Sequence, residues 1–168
     1  MNENDSSALV QTLAQQLLDR GWMMACAESC TGGLLSATLT DLAGSSLWFD
    51  RGFVTYSNAA KMQHLWVHAD TLERFGAVSE ETAMEMAAGV LNAAKGTQFA
   101  VSTTGIAGPG GATPGKPVGM VCFGFAQRTP DGVATRAAIR VFEGDRRQVR
   151  ESAVAYALHT AIELIGQH

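Results

Sequence analysis

Ala27-Glu28-Ser29-Cys30-Thr31-Gly32-Gly33 follows an uninterrupted apolar run, Trp22 to Cys26, and leads into a helix-like run, Leu34 to Leu42. A short apolar segment of this kind suits a strand buried on both faces, and its passage through two glycines into a helix is the start of an α/β unit. Such a re-entry exposes backbone N–H groups at the positive end of the helix, where anions and developing negative charge are stabilised. Ser29 stands at the turn as a nucleophile does in a strand-turn-helix elbow, although the GxSxG spacing of that motif is absent. Ser29 and Thr31 are equally suited to capping the helix, with Gly32 and Gly33 allowing the turn.

Working outward from this stretch, Trp22 to Ala27 reads as the buried strand, preceded by a helix capped at Asp5 or Ser6. Leu9, Leu13 and Leu17 share one face of that helix, and Arg20-Gly21 close it. On the other side, Leu35, Leu39 and Leu42 face inward on a helix that ends near Gly44. Phe49 to Tyr56 has strand character and runs into a helix start capped by Ser57 or Asn58, which puts Lys61 in the first turns of a helix just beyond a strand end. Trp66 to Phe75 reads as a short helix bounded by Gly76, and Ser79 caps the next, which Lys95 and Gly96 end. Phe99 to Thr104 is a strand that passes into a second glycine-rich loop, Gly105 to Gly111. Pro117 to Ala126 and Val133 to Phe142 flank the turn signal Thr129-Pro130-Asp131-Gly132 and should pair as a hairpin. Asp145 caps a final helix running to about Ile165. The expectation is a three-layer α/β/α sandwich with a mixed, mainly parallel sheet, antiparallel towards one edge. Loops at the carboxyl ends of strands form the ligand crevice of such sheets, and three of them, 28 to 33, 56 to 61 and 103 to 111, are candidates to meet there.

At 168 residues the chain has room for one domain, 1–168, with a proper core. A balance of 12 basic against 16 acidic residues gives no general reason to expect nucleic acid or an anionic membrane as partner. The arginines at 136, 140, 146, 147 and 150 nevertheless cluster, which leaves room for a local anion site. Three cysteines, Cys26, Cys30 and Cys122, have no paired spacing, which argues for a reducing compartment and against a disulfide framework or zinc site. Met1 to Ser7 lacks the basic and apolar segments of a signal peptide, and no apolar run approaches membrane-spanning length, so a cytoplasmic location is expected.

The chemistry available where the three loops meet centres on Ser29, Tyr56, Lys61 and Thr104. A serine hydroxyl needs a base, and a lysine serves when burial lowers its pKa. Tyr56 is suited to relaying a proton or to being a strand-end aromatic, and Lys61 to being that base or a solvated charge. Backbone N–H groups of Thr31, Gly32 and Gly33, or of Gly105, Ile106 and Ala107, are candidates to hold an oxyanion. Cys30 is an alternative nucleophile without a histidine near it in sequence. Glu28 is placed to orient Lys61 or a substrate group, or to cap a helix. His64 and His68 share a helix face, but no acid accompanies them in the HExxH manner, so no metal is expected. The loop from Thr104 through Gly108 to Gly111 lacks the Gly-Lys-Ser/Thr ending of a P-loop, and no GxGxxG dinucleotide fingerprint stands here.

Several strings in fixed order carry a resemblance to the CinA C-terminal domain family: AESCTGG at 27 to 33, GSSLWFDRGFVTYSNAAKMQ at 44 to 63, GAVSEETAMEMAAG at 76 to 89, TGIAGPGG at 104 to 111, KPVG at 116 to 119 and GDR at 144 to 146. The resemblance implies hydrolysis of nicotinamide mononucleotide to nicotinate mononucleotide and ammonia, with no cofactor or metal. It also implies Ser29 as nucleophile assisted by Lys61 and Tyr56, and a homodimer, which exposed apolar helix faces also suggest. The nucleotide phosphate is then expected on a glycine-rich loop or beside Arg146. A catalytically silent nucleotide-binding module of the same fold, or a hydrolase for another small amide, are the alternatives.

Overall fold

The structure, a computed structural model, describes residues 3–167; Met1, Asn2 and His168, the ends of the expected domain, lie outside the described residues. Five strands form one sheet in the order β2-β1-β3-β4-β5: β1 (Met24–Glu28), β2 (Phe49–Val54), β3 (Phe99–Gly105), β4 (Met120–Thr129) and β5 (Gly132–Val141). β1 is parallel to both β2 and β3, whereas β4 is antiparallel to β3 and to β5, so the sheet is mixed as expected. Helices α1 (Glu3–Arg20), α2 (Leu34–Thr40) and α6 (Arg146–Gly166) pack on one face. α3 (Asn58–Leu65), α4 (Ala69–Phe75) and α5 (Glu80–Ala93) lie on the other.

The two faces of the sheet differ in bulk, because alternate strand residues point to opposite sides. Met24 and Cys26 of β1, Phe99 and Val101 of β3 and Val121, Phe123 and Phe125 of β4 meet the leucine face of α1 and the apolar stripe of α6. Ala25, Ala27, Ala100 and Ala126 face Met86, Ala87, Val90 and Leu91 of α5. This small-residue face lets α5 lie very close. Ser102 Oγ donates to the Ala83 carbonyl at 2.6 Å, and a Cβ on Gly124 would stand 2.0 Å from that same oxygen.

Element ends depart from the sequence reading where a hydrogen bond intervenes. The first helix already includes Glu3, so Asp5 and Ser6 lie within it and do not cap it. β1 starts at Met24 because the amide of Met23 donates to the Gln98 side chain at 2.7 Å, and it runs on to Glu28, which pairs with strands on both sides. Trp66 adopts a left-handed conformation (φ 57°) that ends α3, so α4 begins only at Ala69. Pro117 to Gly119 form a turn ahead of β4. The caps at Ser57, Ser79 and Asp145 are observed, the last as a capping box with Gln148.

This topology fixes where ligands can bind. From β1 the chain goes to β2 on one side and later returns to β3 on the other, so the carboxyl end of β1 is a switch point in strand order. The parallel trio ends there, β4 begins there, and β5 ends there to enter α6. Ser29 is the first residue past that end.

Candidate active site

Ser29 continues the ladder for one residue, its amide donating to the Thr103 carbonyl at 2.9 Å, and the chain then turns through Cys30 to Gly33 into α2. On the neighbouring strand, Thr55 donates to the Glu28 carbonyl at 2.9 Å before the Ser57 cap starts α3. Helical side chains lean towards the N-terminus, so Lys61, four residues past the cap, points back over the strand end. Its Nζ donates to Ser29 Oγ at 3.0 Å, to the Thr55 carbonyl at 2.9 Å and to the Tyr56 carbonyl at 3.1 Å. Lys61 is 1% exposed and Ser29 8%. Burial lowers the Lys61 pKa below its usual range, against a smaller opposing influence of Cys30. A neutral Lys61 has two N–H groups, enough for the two carbonyls, and one lone pair, which then faces the Ser29 hydroxyl.

Tyr56 divides its roles. Its carbonyl accepts from Lys61 and, at 3.4 Å, from Ser29 Oγ, while its ring is 60% exposed and its hydroxyl accepts from Arg146 Nη2 at 3.0 Å. Arg146, in the first turn of α6, also donates through Nη1 to the Gly108 carbonyl at 2.8 Å. Thr104 lines the cleft and donates its hydroxyl to the Ala77 carbonyl at 2.8 Å. Gly105 is held in the β3–β4 ladder opposite Val121, and the Ile106 amide donates to the Met120 carbonyl. Among the described residues, the amides of Ala107 and Gly108 have no backbone acceptor, and the Cys30 amide reaches only its own thiol.

Glu28, Thr31, Gly32 and Gly33 lie behind the turn and not in the cleft. Glu28 is fully buried: Oε1 accepts from Thr31 Oγ1 at 2.6 Å and the Leu35 amide at 2.8 Å, and Oε2 from the Ser36 amide at 3.0 Å and Ser36 Oγ at 2.8 Å. It therefore caps α2 from the end of the strand that leads into it, and neither hydrogen-bonds Lys61 nor lines the cleft. The positive end of that helix, expected to face a substrate, is already neutralised by this carboxylate. Thr31 is buried between Glu28 and Thr103, and Gly32 and Gly33 supply left-handed turn geometry outside the cleft lining. The Cys30 thiol is buried at the edge of the site, and desolvation pushes its pKa up to about 12, which disfavours the thiolate that a cysteine nucleophile requires.

These loops enclose a cleft of about 260 Å³, to which Asn58, Val78 and Gly111 also contribute. The sequence offers Asn58 only as a helix cap and Arg150 only as one of a cluster of arginines, and it marks Val78 in no way; the spacing of four puts Arg146 and Arg150 on one face of α6.

A family model described as the CinA C-terminal domain matches residues 6–165. The chain belongs to the CinA C-terminal domain family. Among curated relatives of this family, the nicotinamide-nucleotide amidohydrolase PncC of Enterobacter agglomerans is 52% identical over 162 residues, covering 96% of each chain. PncC of Escherichia coli K12 is 49% identical, covering 95% of this chain and 94% of its own. A CinA-like protein of Chloroherpeton thalassium is 50% identical but matches over only 37% of its own length, so the same CinA unit also occurs within a longer chain. Among solved structures, a competence or damage-inducible protein of Enterobacter asburiae superposes with a TM-score of 0.89 at 38% identity, covering 95% of this chain and 98% of the other. The fold built on the five-stranded sheet is thus shared with that structure.

Proposed function

We propose that this chain is a nicotinamide-nucleotide amidohydrolase that converts nicotinamide mononucleotide to nicotinate mononucleotide and ammonia, with Ser29 as nucleophile and Lys61 as base. The observation that carries the chemistry is the 3.0 Å contact between Ser29 Oγ and a buried Lys61 Nζ. The choice of substrate rests on relatives about half identical over nearly the whole chain and named for that activity.

Neutral Lys61 takes the hydroxyl proton as Ser29 Oγ bonds to the carboxamide carbon. Negative charge then gathers on the former carbonyl oxygen, and the amides of Ala107 and Gly108, with that of Cys30 if it leaves its own thiol, are the donors available to it. The Lys61 ammonium passes its proton to the nitrogen, the C–N bond breaks, and ammonia leaves a serine ester. Water attacks the ester, Lys61 takes a proton from it, and that proton returns to Ser29 Oγ as the carboxylate product departs. Thr55 and Tyr56 carbonyls hold Nζ in place through both halves. A cleft of about 260 Å³ accommodates the reacting ring, while the ribose phosphate extends towards Arg146 and the Gly108–Gly111 loop.

The test is release of ammonia and nicotinate mononucleotide from nicotinamide mononucleotide by the purified chain and by Ser29→Ala. A rate at least about 1000-fold lower in the variant is expected, as for loss of a nucleophile. Equal rates in the two proteins would overturn the proposal, and substrate-dependent thermal stabilisation without product would identify a silent binding module instead.

A further inference from the structure

We propose that Arg150 is a positioning residue for the nucleophile turn, an inference that rests on Ser29 being the nucleophile. Its Nε donates to the Cys30 carbonyl at 3.2 Å and its Nη2 to the Thr31 carbonyl at 3.0 Å, 120 and 119 residues away in sequence. Both bonds go to the turn that immediately follows Ser29. The guanidinium lies over Gly32, where φ is +57° and a Cβ would come within 3.6 Å of Nη2.

Peptide planarity gives these contacts their consequence. A carbonyl and the N–H of the same trans peptide point in opposite directions, so pulling the Cys30 and Thr31 carbonyls towards α6 fixes two successive peptide planes. The Gly32 N–H that results donates to the Ser29 carbonyl at 3.1 Å and closes the turn on the nucleophile itself. From the interior, Glu28 grips the same turn through Thr31 Oγ1 and the amides that follow. Ser29 is therefore held between a buried carboxylate on one side and a forked cation on the other. A lysine has no rigid fork with which to hold two adjacent carbonyls at once.

Arg146 and Arg150 together make the first two turns of α6 a hub. One reaches Tyr56 and Gly108, the other Cys30 and Thr31, so all three loops of the cleft are tied to one helix.

The experiment compares wild type, Arg150→Gln, Arg150→Lys and Arg150→Ala on nicotinamide mononucleotide, with Ser29→Ala as the control for rescue. Rates are divided by the number of sites titrated to completion with a small sulfonyl fluoride that sulfonylates Ser29 Oγ with loss of fluoride, so unfolded molecules are not counted. A fall in kcat per titrated site of about 30-fold or more in Arg150→Gln is expected, because small misplacements of a reacting group carry penalties of this order. KM should stay within about threefold and the inflection in the pH profile should not move. Arg150→Lys should recover only part of the loss, and added guanidinium ion should raise the activity of Arg150→Ala but not that of Ser29→Ala. An unchanged kcat per titrated site, or a loss confined to KM, would overturn the positioning role while leaving the amidase reading intact. A wild type that makes no product refutes the amidase reading itself.

Discussion

Replacing Lys61 by methionine separates its catalytic and structural parts. Methionine matches the length of the side chain but cannot accept the Ser29 proton, so kcat should fall by about 100- to 10,000-fold, the usual worth of a positioned general base. The structural consequence depends on pH. Burial holds the folded Lys61 below the usual 10.5. Between that lowered value and 10.5 the unfolded chain therefore carries one proton more than the folded chain, and folding stability rises with pH. Relative to Lys61→Met, which cannot titrate there, wild type should gain about 1.4 kcal/mol per pH unit across this window and level off at either end. Below the window the charged amine is satisfied by three acceptors but remains desolvated. The variant strands the Thr55 carbonyl at roughly 1–3 kcal/mol, the Tyr56 carbonyl keeping Ser29 Oγ as donor, yet removes that buried charge, so the two proteins should differ least in this range. Urea titrations from neutral to alkaline pH measure the difference, and an ammonia-release assay over the same range measures activity, which should rise through the same inflection in wild type only. A stability difference that is flat with pH, or a variant keeping more than about a tenth of wild-type kcat, would refute the assignment of Lys61 as a buried base.

Glu28→Gln turns an NH2 towards one hydroxyl, which can accept from it, and one backbone amide, which is left without an acceptor; a loss of roughly 1–3 kcal/mol is expected, seen as a fall in Tm of about 2–12 °C by calorimetry. Tyr56→Phe keeps the backbone carbonyl that meets Ser29 and Lys61 and loses only the hydroxyl bonded to Arg146, so kcat should fall less than about tenfold in steady-state assays. Gly124→Ala drives a methyl against the Ala83 carbonyl and should destabilise by about 3 kcal/mol in urea unfolding, with α5 pushed off the sheet.

Much of the scaffold could be read from the chain because its signals are local. Ser57, Ser79 and Asp145 sit where their helices begin, and the Ser57 cap already pointed Lys61 towards a strand end. Ser29 and Lys61 were expected to converge because both follow strands that a parallel pairing would place side by side, which is the pairing of β1 with β2. Distant partners were illegible. Glu28 looks like a site residue because it precedes Ser29, and only the fold reveals that its acceptors are spent on amides seven and eight positions later. Arg150 carries no local mark beyond its spacing from Arg146, since what it holds lies at the opposite end of the sequence. Trp66 reads as the start of a helix because nothing in its composition announces a left-handed residue.

That α6 comes last among the elements has a consequence for how the molecule matures. Ser29, Tyr56 and Lys61 leave the ribosome early, yet the arginines that lash their loops together are synthesised some ninety to one hundred and twenty residues behind them. Until α6 has been made, the loops that carry Ser29, Tyr56 and Gly108 lack the arginine tethers that join them in the folded protein.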